Sequence, residues 1–200
     1  MKHMKKLYIG FTILLMLSIG AGIYYFTGYR QAQMEFPKDV TLESTTGEDY
    51  SFKDMPQKIR LLEFMYTNCP DVCPNTTYQM ADIRDRLVKD RLFGDKVEFL
   101  TVTIDPLRDT LPTMKEYGET FKTTKADGWY VLRGEAEDTK KLANAFRFLY
   151  KDPGSGFLIH TNATYLINEK NRVIEVFGMG EKDFDREDVY KKIVKQAEKM

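Results

Sequence analysis

Cysteine and histidine are scarce in this chain: Cys69 and Cys73 are the only thiols, and His3 and His160 the only imidazoles. Two cysteines cannot build the disulfide framework of a small secreted scaffold, so they read as a reactive or metal-binding pair. Two histidines leave few ways to complete a nitrogen-ligated metal site. Net charge is missing as well, with 30 basic residues against 30 acidic ones. Without a strong field, nucleic acid is not expected as a partner. Internal repeats and low-complexity segments are absent, which excludes solenoids and long disordered arms.

One long hydrophobic run is present. Residues 1–6 carry Lys2, Lys5 and Lys6, and residues 7–26, LYIGFTILLMLSIGAGIYYF, carry no charge. About 20 apolar residues suffice to span a bilayer as a helix. Tyr24 and Tyr25 fall where an interfacial belt would sit, and the lysines predict an N-terminus inside and a folded domain outside. The run continues past the small residues Gly20-Ala21-Gly22, which favours an uncleaved anchor over a cleaved signal peptide. No cysteine lies near its end, so a lipoprotein anchor is not expected. The segment is not an Arg- and Ser-rich transit peptide. The expected location is a bacterial cell membrane, single-pass, with the soluble domain on the extracytoplasmic face. Residues 27–38 read as a polar tether and 39–200 as one folded domain, with 42% hydrophobic and 13% aromatic residues overall, ample for a core.

Within that domain, residues 40–42 and 49–52 flank Thr45-Thr46-Gly47-Glu48 and predict a hairpin. Residues 61–66 form an apolar run expected to be the central strand. Residues 75–91 carry Met80, Ile83 and Leu87 at helical spacing. Residues 97–104, VEFLTVTI, are β-branched and nearly continuous, as in a strand buried on both faces. A helix is expected over 111–121, a short strand over 129–132, and an amphipathic helix over 138–150 through Leu142, Ala145, Phe146 and Leu149. The turn-rich KDPGSG loop follows at 151–156. Residues 163–168 and 172–177 predict an antiparallel hairpin, and 184–199 a last helix. Strands alternating with helices imply an α/β fold with parallel pairing, to which the final hairpin adds antiparallel strands.

The chain is organised around residues 61–77, LLEFMYTNCPDVCPNTT, where the central strand breaks into a C-x-x-x-C segment and a helix begins. Unpaired N–H groups and the positive end of the helix dipole favour a thiolate there, so a lowered cysteine pKa is expected. If the helix already includes Cys69, positions i and i+4 face the same way, and the two sulfurs close a disulfide or grip one ion. Pro70 and Pro74 suit a first helical turn. His160 follows the KDPGSG loop and precedes the strand at Ala163. On position alone it fits a metal ligand or an ordinary hydrogen-bonded residue. Taken together, two thiolates and one imidazole make a soft donor set that suits Cu(I) and tolerates Cu(II); zinc also fits, although structural zinc usually takes four protein ligands. His3 is expected on the other side of the membrane.

Thr67-Asn68-Cys69-Pro70-Asp71-Val72-Cys73-Pro74, then Asp105-Pro106-Leu107-Arg108-Asp109-Thr110, then a late histidine before a Tyr-Leu-Ile strand, resemble the SCO/SenC family over roughly residues 39–199. The resemblance implies a thioredoxin-like fold, a central mixed sheet flanked by helices behind an N-terminal transmembrane helix. It implies a copper chaperone rather than an enzyme, binding Cu(I) or Cu(II) through Cys69, Cys73 and His160. It implies delivery to the binuclear copper site of cytochrome c oxidase, with oxidase subunit II as partner and another copper chaperone or a thiol–disulfide reductant acting upstream. The alternative is a thiol–disulfide oxidoreductase, in which Cys69 and Cys73 form a redox-active disulfide and reduce cysteines of the oxidase copper site or of other exported proteins. The chain departs from the family at Ile159, where the residue before the histidine is often acidic.

Other features have structural readings. Asp105, Arg108 and Asp109 are expected to hold a loop, with Asp109 or Thr110 capping the next helix. Asp71 is expected to cap the helix between the cysteines. Met179, between two glycines, reads as a gap-filler rather than a fourth soft ligand. Lys191, Lys192, Lys195 and Lys199 read as a solvated helix face.

Overall fold

The computed structural model describes residues 2–29, 33–125 and 127–200. It begins with helix α1 (Lys2–Tyr24), followed by a π-helical turn, Tyr25–Tyr29. Met4–Tyr24, 21 residues, is long and apolar enough to cross a membrane, and none of it is buried. At 1.5 Å per residue it measures about 30 Å, the thickness of a hydrocarbon core. The helix starts earlier than the uncharged run and takes Lys5 and Lys6 into its first turns. Residues 30–32 of the expected tether lie outside the described residues.

The strands are β1 (Thr41–Ser44), β2 (Asp49–Ser51), β3 (Ile59–Met65), β4 (Val97–Thr103) and β5 (Trp129–Arg133), then β8 (Thr164–Ile167) and β9 (Val173–Phe177). They form one seven-stranded sheet in the order β2-β1-β5-β4-β3-β8-β9. β3 pairs in parallel with β4, and β4 with β5; β8 joins β3 antiparallel and continues into β9. Every residue of β3 and of β4 is buried, as expected for central strands covered on both faces. β6 (Tyr150–Lys151) and β7 (Ile159–His160) form a separate two-stranded ribbon, in which Tyr150 faces His160.

The helices are α2 (Val72–Lys89), α3 (Leu111–Thr120), α4 (Ala136–Ala145), the single turn α5 (Gly180–Asp183), and α6 (Arg186–Ala197). Successive residues of a strand point to opposite faces, and β3 divides the core accordingly. Phe64 packs against Phe146, Phe148 and Tyr165 on one face, where Phe36 also meets Phe52 and Phe146. On the other face Glu63 looks toward Thr77 of α2, which meets Tyr117 of α3.

Three expected boundaries move, for local reasons. The helix expected over 138–150 ends at Ala145 because Arg147 adopts a left-handed conformation, φ 56°, and turns the chain. Phe148 then enters the core, Leu149 is exposed, and Tyr150 joins the ribbon. The last helix, expected from 184, starts at Arg186, because the Asp185 side chain accepts the Glu187 and Asp188 N–H groups there; the single turn α5 precedes it as a separate element. The third boundary is at the C-x-x-x-C segment, where α2 begins at Val72, so that Cys69 precedes the helix and only Cys73 lies in its first turn.

Candidate metal centre

The site forms at the C-terminal end of β3. After Met65 the chain leaves the sheet and is held by the neighbouring loop: the Thr67 N–H donates to Asp109 Oδ2 at 3.1 Å and its hydroxyl to Asp109 Oδ1. Asp109 also accepts the Thr103 hydroxyl, so this buried carboxylate fastens the start of the cysteine loop to the end of β4. Asp109 does not cap α3; Thr110 does, accepting the Thr113 N–H. Arg108 pairs with Asp105 and with Asp152, tying that loop to the segment before His160.

Asp71 occupies the position before α2 but makes no side-chain capping bond. The acceptor there is sulfur: Cys69 Sγ receives the Cys73 N–H at 3.4 Å. The unpaired amides at the helix start are thus turned on Cys69 and favour its thiolate form.

His160 enters from β7. Its Nδ1 lies 2.9 Å from the Thr161 carbonyl, which makes Nδ1 the protonated nitrogen and leaves Nε2 on the sulfur side. Nε2 is 3.8 Å from Cys73 Sγ. Phe148 stacks on the ring at 5.7 Å and Tyr66 meets it edge-on at 5.9 Å, so aromatic neighbours fix its plane. One ligand atom each from Cys69, Cys73 and His160 lie within 4.8 Å of one another. Both thiols are free and buried, and His160 is half-buried.

The electrostatics separate the two sulfurs. The hydrogen bond from Cys73, with further ones from His160 and backbone N–H groups, lowers the Cys69 thiol to about 4 against the effect of burial. Cys73 moves the other way, because it donates to Cys69, is buried, and lies beside the Cys69 charge. Burial opposes a charge on His160, but its bonds to Cys69 and to the Thr161 carbonyl prevail and raise it. The environment thus favours the thiolate at Cys69 and the thiol at Cys73, with the charged form of His160 favoured beside them. Met179 is buried, and its N–H is held by Asn162.

Glu63 lies behind the site, and helical or strand periodicity does not single it out. The signal available for it is a carboxylate inside the apolar run Leu61-Leu62-Glu63-Phe64-Met65, every residue of which is buried.

The fold and site define a thioredoxin-like protein with a two-thiol, one-imidazole centre, its sulfurs at the junction of the central strand and the following helix and its imidazole from β7. The SCO1/SenC family profile matches residues 29–198, and the chain belongs to that family. It is 31% identical over 147 residues to the human mitochondrial Protein SCO1 homolog, an alignment spanning 71% of this chain and 47% of that protein. With a SCO2-like protein of Rickettsia felis it shares 29% identity over 147 residues, 70% of this chain and 67% of the relative. The chain therefore spans between about half and two thirds of the length of these relatives. Among solved structures, a SCO1/SenC family lipoprotein from Bacillus anthracis superposes with a TM-score of 0.72 at 26% identity, covering 82% of this chain and 96% of that one. Bradyrhizobium japonicum ScoI with copper bound gives 0.65 at 26% identity, covering 78% and 96%.

Proposed function

We propose that this protein carries copper, held by Cys69, Cys73 and His160, and passes it on during assembly of cytochrome c oxidase. The observation that carries this reading is the convergence of three soft or borderline donor atoms within 4.8 Å. Two thiolates from the strand–helix junction and an imidazole from the β6–β7 ribbon suit Cu(I). They leave coordination positions open, so an incoming ligand from an acceptor can enter before a donor atom leaves. The copper-bound state of the B. japonicum relative supports the same cargo. The acceptor in this reading is the binuclear copper site of oxidase subunit II, and copper arrives from another carrier.

The helix at Met4–Tyr24 would anchor the protein in a bacterial cell membrane, N-terminus inside and site outside, matching the lysines that precede it. In this reading residues 1–6 lie in the cytoplasm, 7–26 span the membrane, 27–38 form the tether and 39–200 the copper-binding domain. A second reading, thiol–disulfide exchange, is favoured by the asymmetry of the sulfurs: a Cys69 thiolate is the nucleophile and Cys73 the resolving thiol. Copper loading needs the reduced pair, so both activities use one state.

The test is a copper titration of the reduced, detergent-solubilised full chain, followed by absorbance and EPR. One tightly bound equivalent with thiolate-to-copper charge transfer is expected, with tight binding lost in His160→Ala. Undiminished affinity in that variant would reject the three-ligand centre. Thiol–disulfide exchange should survive His160→Ala and disappear in Cys73→Ser.

A further inference from the structure

We propose that an apolar rim beside the metal centre, formed by Leu107, Leu149, Phe157 and Ile159, is the docking surface for the protein that accepts the copper, and that this partner meets it with an apolar face rather than a charged one.

Exposed apolar side chains are unevenly placed on this molecule. Beyond the N-terminal helical segment, the large ones among the described residues are Tyr78 and Val88 on α2, the last residue Met200, and the four of the rim. Leu107 is 86% exposed, Leu149 67%, Ile159 65% and Phe157 49%. Single exposed apolar residues are ordinary, but a group of them marks an interaction site.

The fold draws these four together. In the ribbon, Tyr150 opposes His160 and Lys151 opposes Ile159. The Thr161 N–H donates to the Leu149 carbonyl at 2.8 Å and the Leu149 N–H to the Thr161 hydroxyl at 3.0 Å, which continues the register by one residue. Side chains alternate along a strand, so Leu149 and Ile159 share the ribbon face opposite Tyr150 and His160 and are diagonal neighbours on it. Phe157 leads into β7 from the loop whose Gly156 carbonyl accepts the Asn68 side-chain amide at 3.3 Å. Leu107 stands beside Arg108, which reaches Asp152 at 3.1 Å. The rim thus bridges the cysteine loop, the loop after β4 and the ribbon. A groove of about 290 Å³ is lined by Leu149, Tyr150, Lys151, Ile159, His160 and Thr161, so whatever fills it touches a copper ligand.

The charges here are spent largely on one another. Arg108 pairs with Asp105 and with Asp152, which leaves Lys151 as the further cation of this face. One lysine and an internally paired arginine do not make the basic cluster that an anionic lipid surface attracts. A second copy of this chain seated on the rim would obstruct its own copper route. A copper-accepting protein, in contrast, has to cover the centre, because ligand exchange requires its donor atoms within bonding distance of the metal. Both sulfurs are buried and His160 is half-buried, so the approach lies on the His160 side, where the rim is. The buried centre of a protein–protein interface is apolar and depleted of charge, as this face is.

The proposal rests on the reading of the protein as a copper carrier, and the test keeps the two apart. The Cu(I)-loaded, detergent-solubilised full chain is mixed with either of two acceptors. One is the reduced, metal-free copper domain of oxidase subunit II; the other is bicinchoninate, a small Cu(I) chelator that needs no docking. Leu107→Ser/Leu149→Ser/Ile159→Ser should slow transfer to the protein about tenfold or more and leave transfer to the chelator unchanged. Tyr78→Ser/Val88→Ser, which removes exposed apolar side chains outside the rim, should alter neither. Wild-type transfer to the protein should change less than about threefold between about 50 and 500 mM salt, whereas charge-led docking falls steeply. Should the triple variant fail to fold, Leu107→Ser, at the most exposed position, should still slow transfer to the protein about twofold or more. Equal rates in wild type and the rim variants, or a steep fall with salt, would overturn the docking role and leave the copper reading standing. A wild type that yields copper to the chelator and none to the protein would refute the acceptor, and the docking role with it. Two other occupants have their own signatures. A dimer in sedimentation that the triple variant dissolves would give the rim to a second copy of this chain. Slowed amide exchange over 149–159 on moving from detergent to phospholipid nanodiscs, with no acceptor present, would give it to the bilayer. Either result would overturn the proposal.

Discussion

The two cysteines have the same chemistry in the sequence and opposite environments in the fold. Cys69 stands before α2 and collects donors, including the Cys73 N–H, while Cys73 is shut inside the first turn. The thiolate is the nucleophile, so reactivity should follow this difference. Cys69, lowered to about 4, is ionised throughout the neutral range. Alkylation of the metal-free protein with iodoacetamide should therefore modify Cys69 alone, at a rate nearly flat between about pH 5 and pH 8; an unperturbed thiol would speed up roughly tenfold per unit. Peptide mapping of the product with time checks this. Equal labelling of both residues, or a rate that climbs like that of a free thiol, would show that the donors do not hold the thiolate. The same depression has a stability consequence with a definite sign. A folded pKa below the unfolded one contributes stability that is complete above the unfolded value of about 9 and is lost as pH falls toward 4.

Strands and helices were legible wherever packing and local chemistry agree. The runs at 61–66 and 97–104 lie over β3 and β4, buried on both faces, and the final hairpin falls on β8 and β9. The sequence also singled out Cys69, Cys73 and His160, whose ligand atoms the fold brings within 4.8 Å of one another, although His160 on position alone fitted an ordinary hydrogen-bonded residue as well. Illegible were the places where one residue overrides a continuing pattern. Leu149 extends the helical spacing of Leu142, Ala145 and Phe146, yet Arg147 turns the backbone with no glycine to mark the stop. Asp71 resembles a cap, but a sulfur takes the amide instead. Glu63 is hidden inside an apolar run because its environment is made by Thr101, Thr164 and Thr77, distant in sequence. The Arg147 turn yields a prediction at the scale of α4. A non-glycine residue in the left-handed region costs about 1–2 kcal/mol, against about 0.5–1 kcal/mol for the extra unfolded freedom of glycine. Arg147 is exposed, so Arg147→Gly should raise stability by roughly 0.5–1 kcal/mol in denaturant melts and leave copper affinity unchanged. A loss of stability would show that the arginine side chain contributes more than its backbone costs.

Across the whole molecule, β3 and β4 connect two poles with different tasks. At the C-terminal end are the cysteines and His160. At the other end a buried ionic cluster closes the sheet: Arg60 and Glu98, opposite each other in register, are bonded at 2.6 Å and almost wholly buried. Arg60 also reaches Asn171 at the β8–β9 turn and the carbonyls of Lys58 and Pro56, and the Tyr50 hydroxyl donates to Glu98. From Arg60 to the cysteine loop is about 20 Å of strand, at ~3.3 Å per residue. Coulomb coupling over that distance is weak, so the cluster should serve stability and leave the site's chemistry alone. Removing one member of a buried pair costs about 3–5 kcal/mol, and without Arg60 the buried Glu98 keeps only Lys58, 3.8 Å away, as a countercharge. Arg60→Met should therefore lower stability by that order. Arg60→Met/Glu98→Met, which buries no stranded charge, should recover most of the loss. In both variants, protein that remains folded should bind one copper with unchanged affinity, and Cys69 should be alkylated at the wild-type rate. Denaturant melts alongside copper titrations separate the outcomes. A fall in copper affinity without a fall in stability would mean that the poles communicate along β3, and the separation of tasks would be wrong.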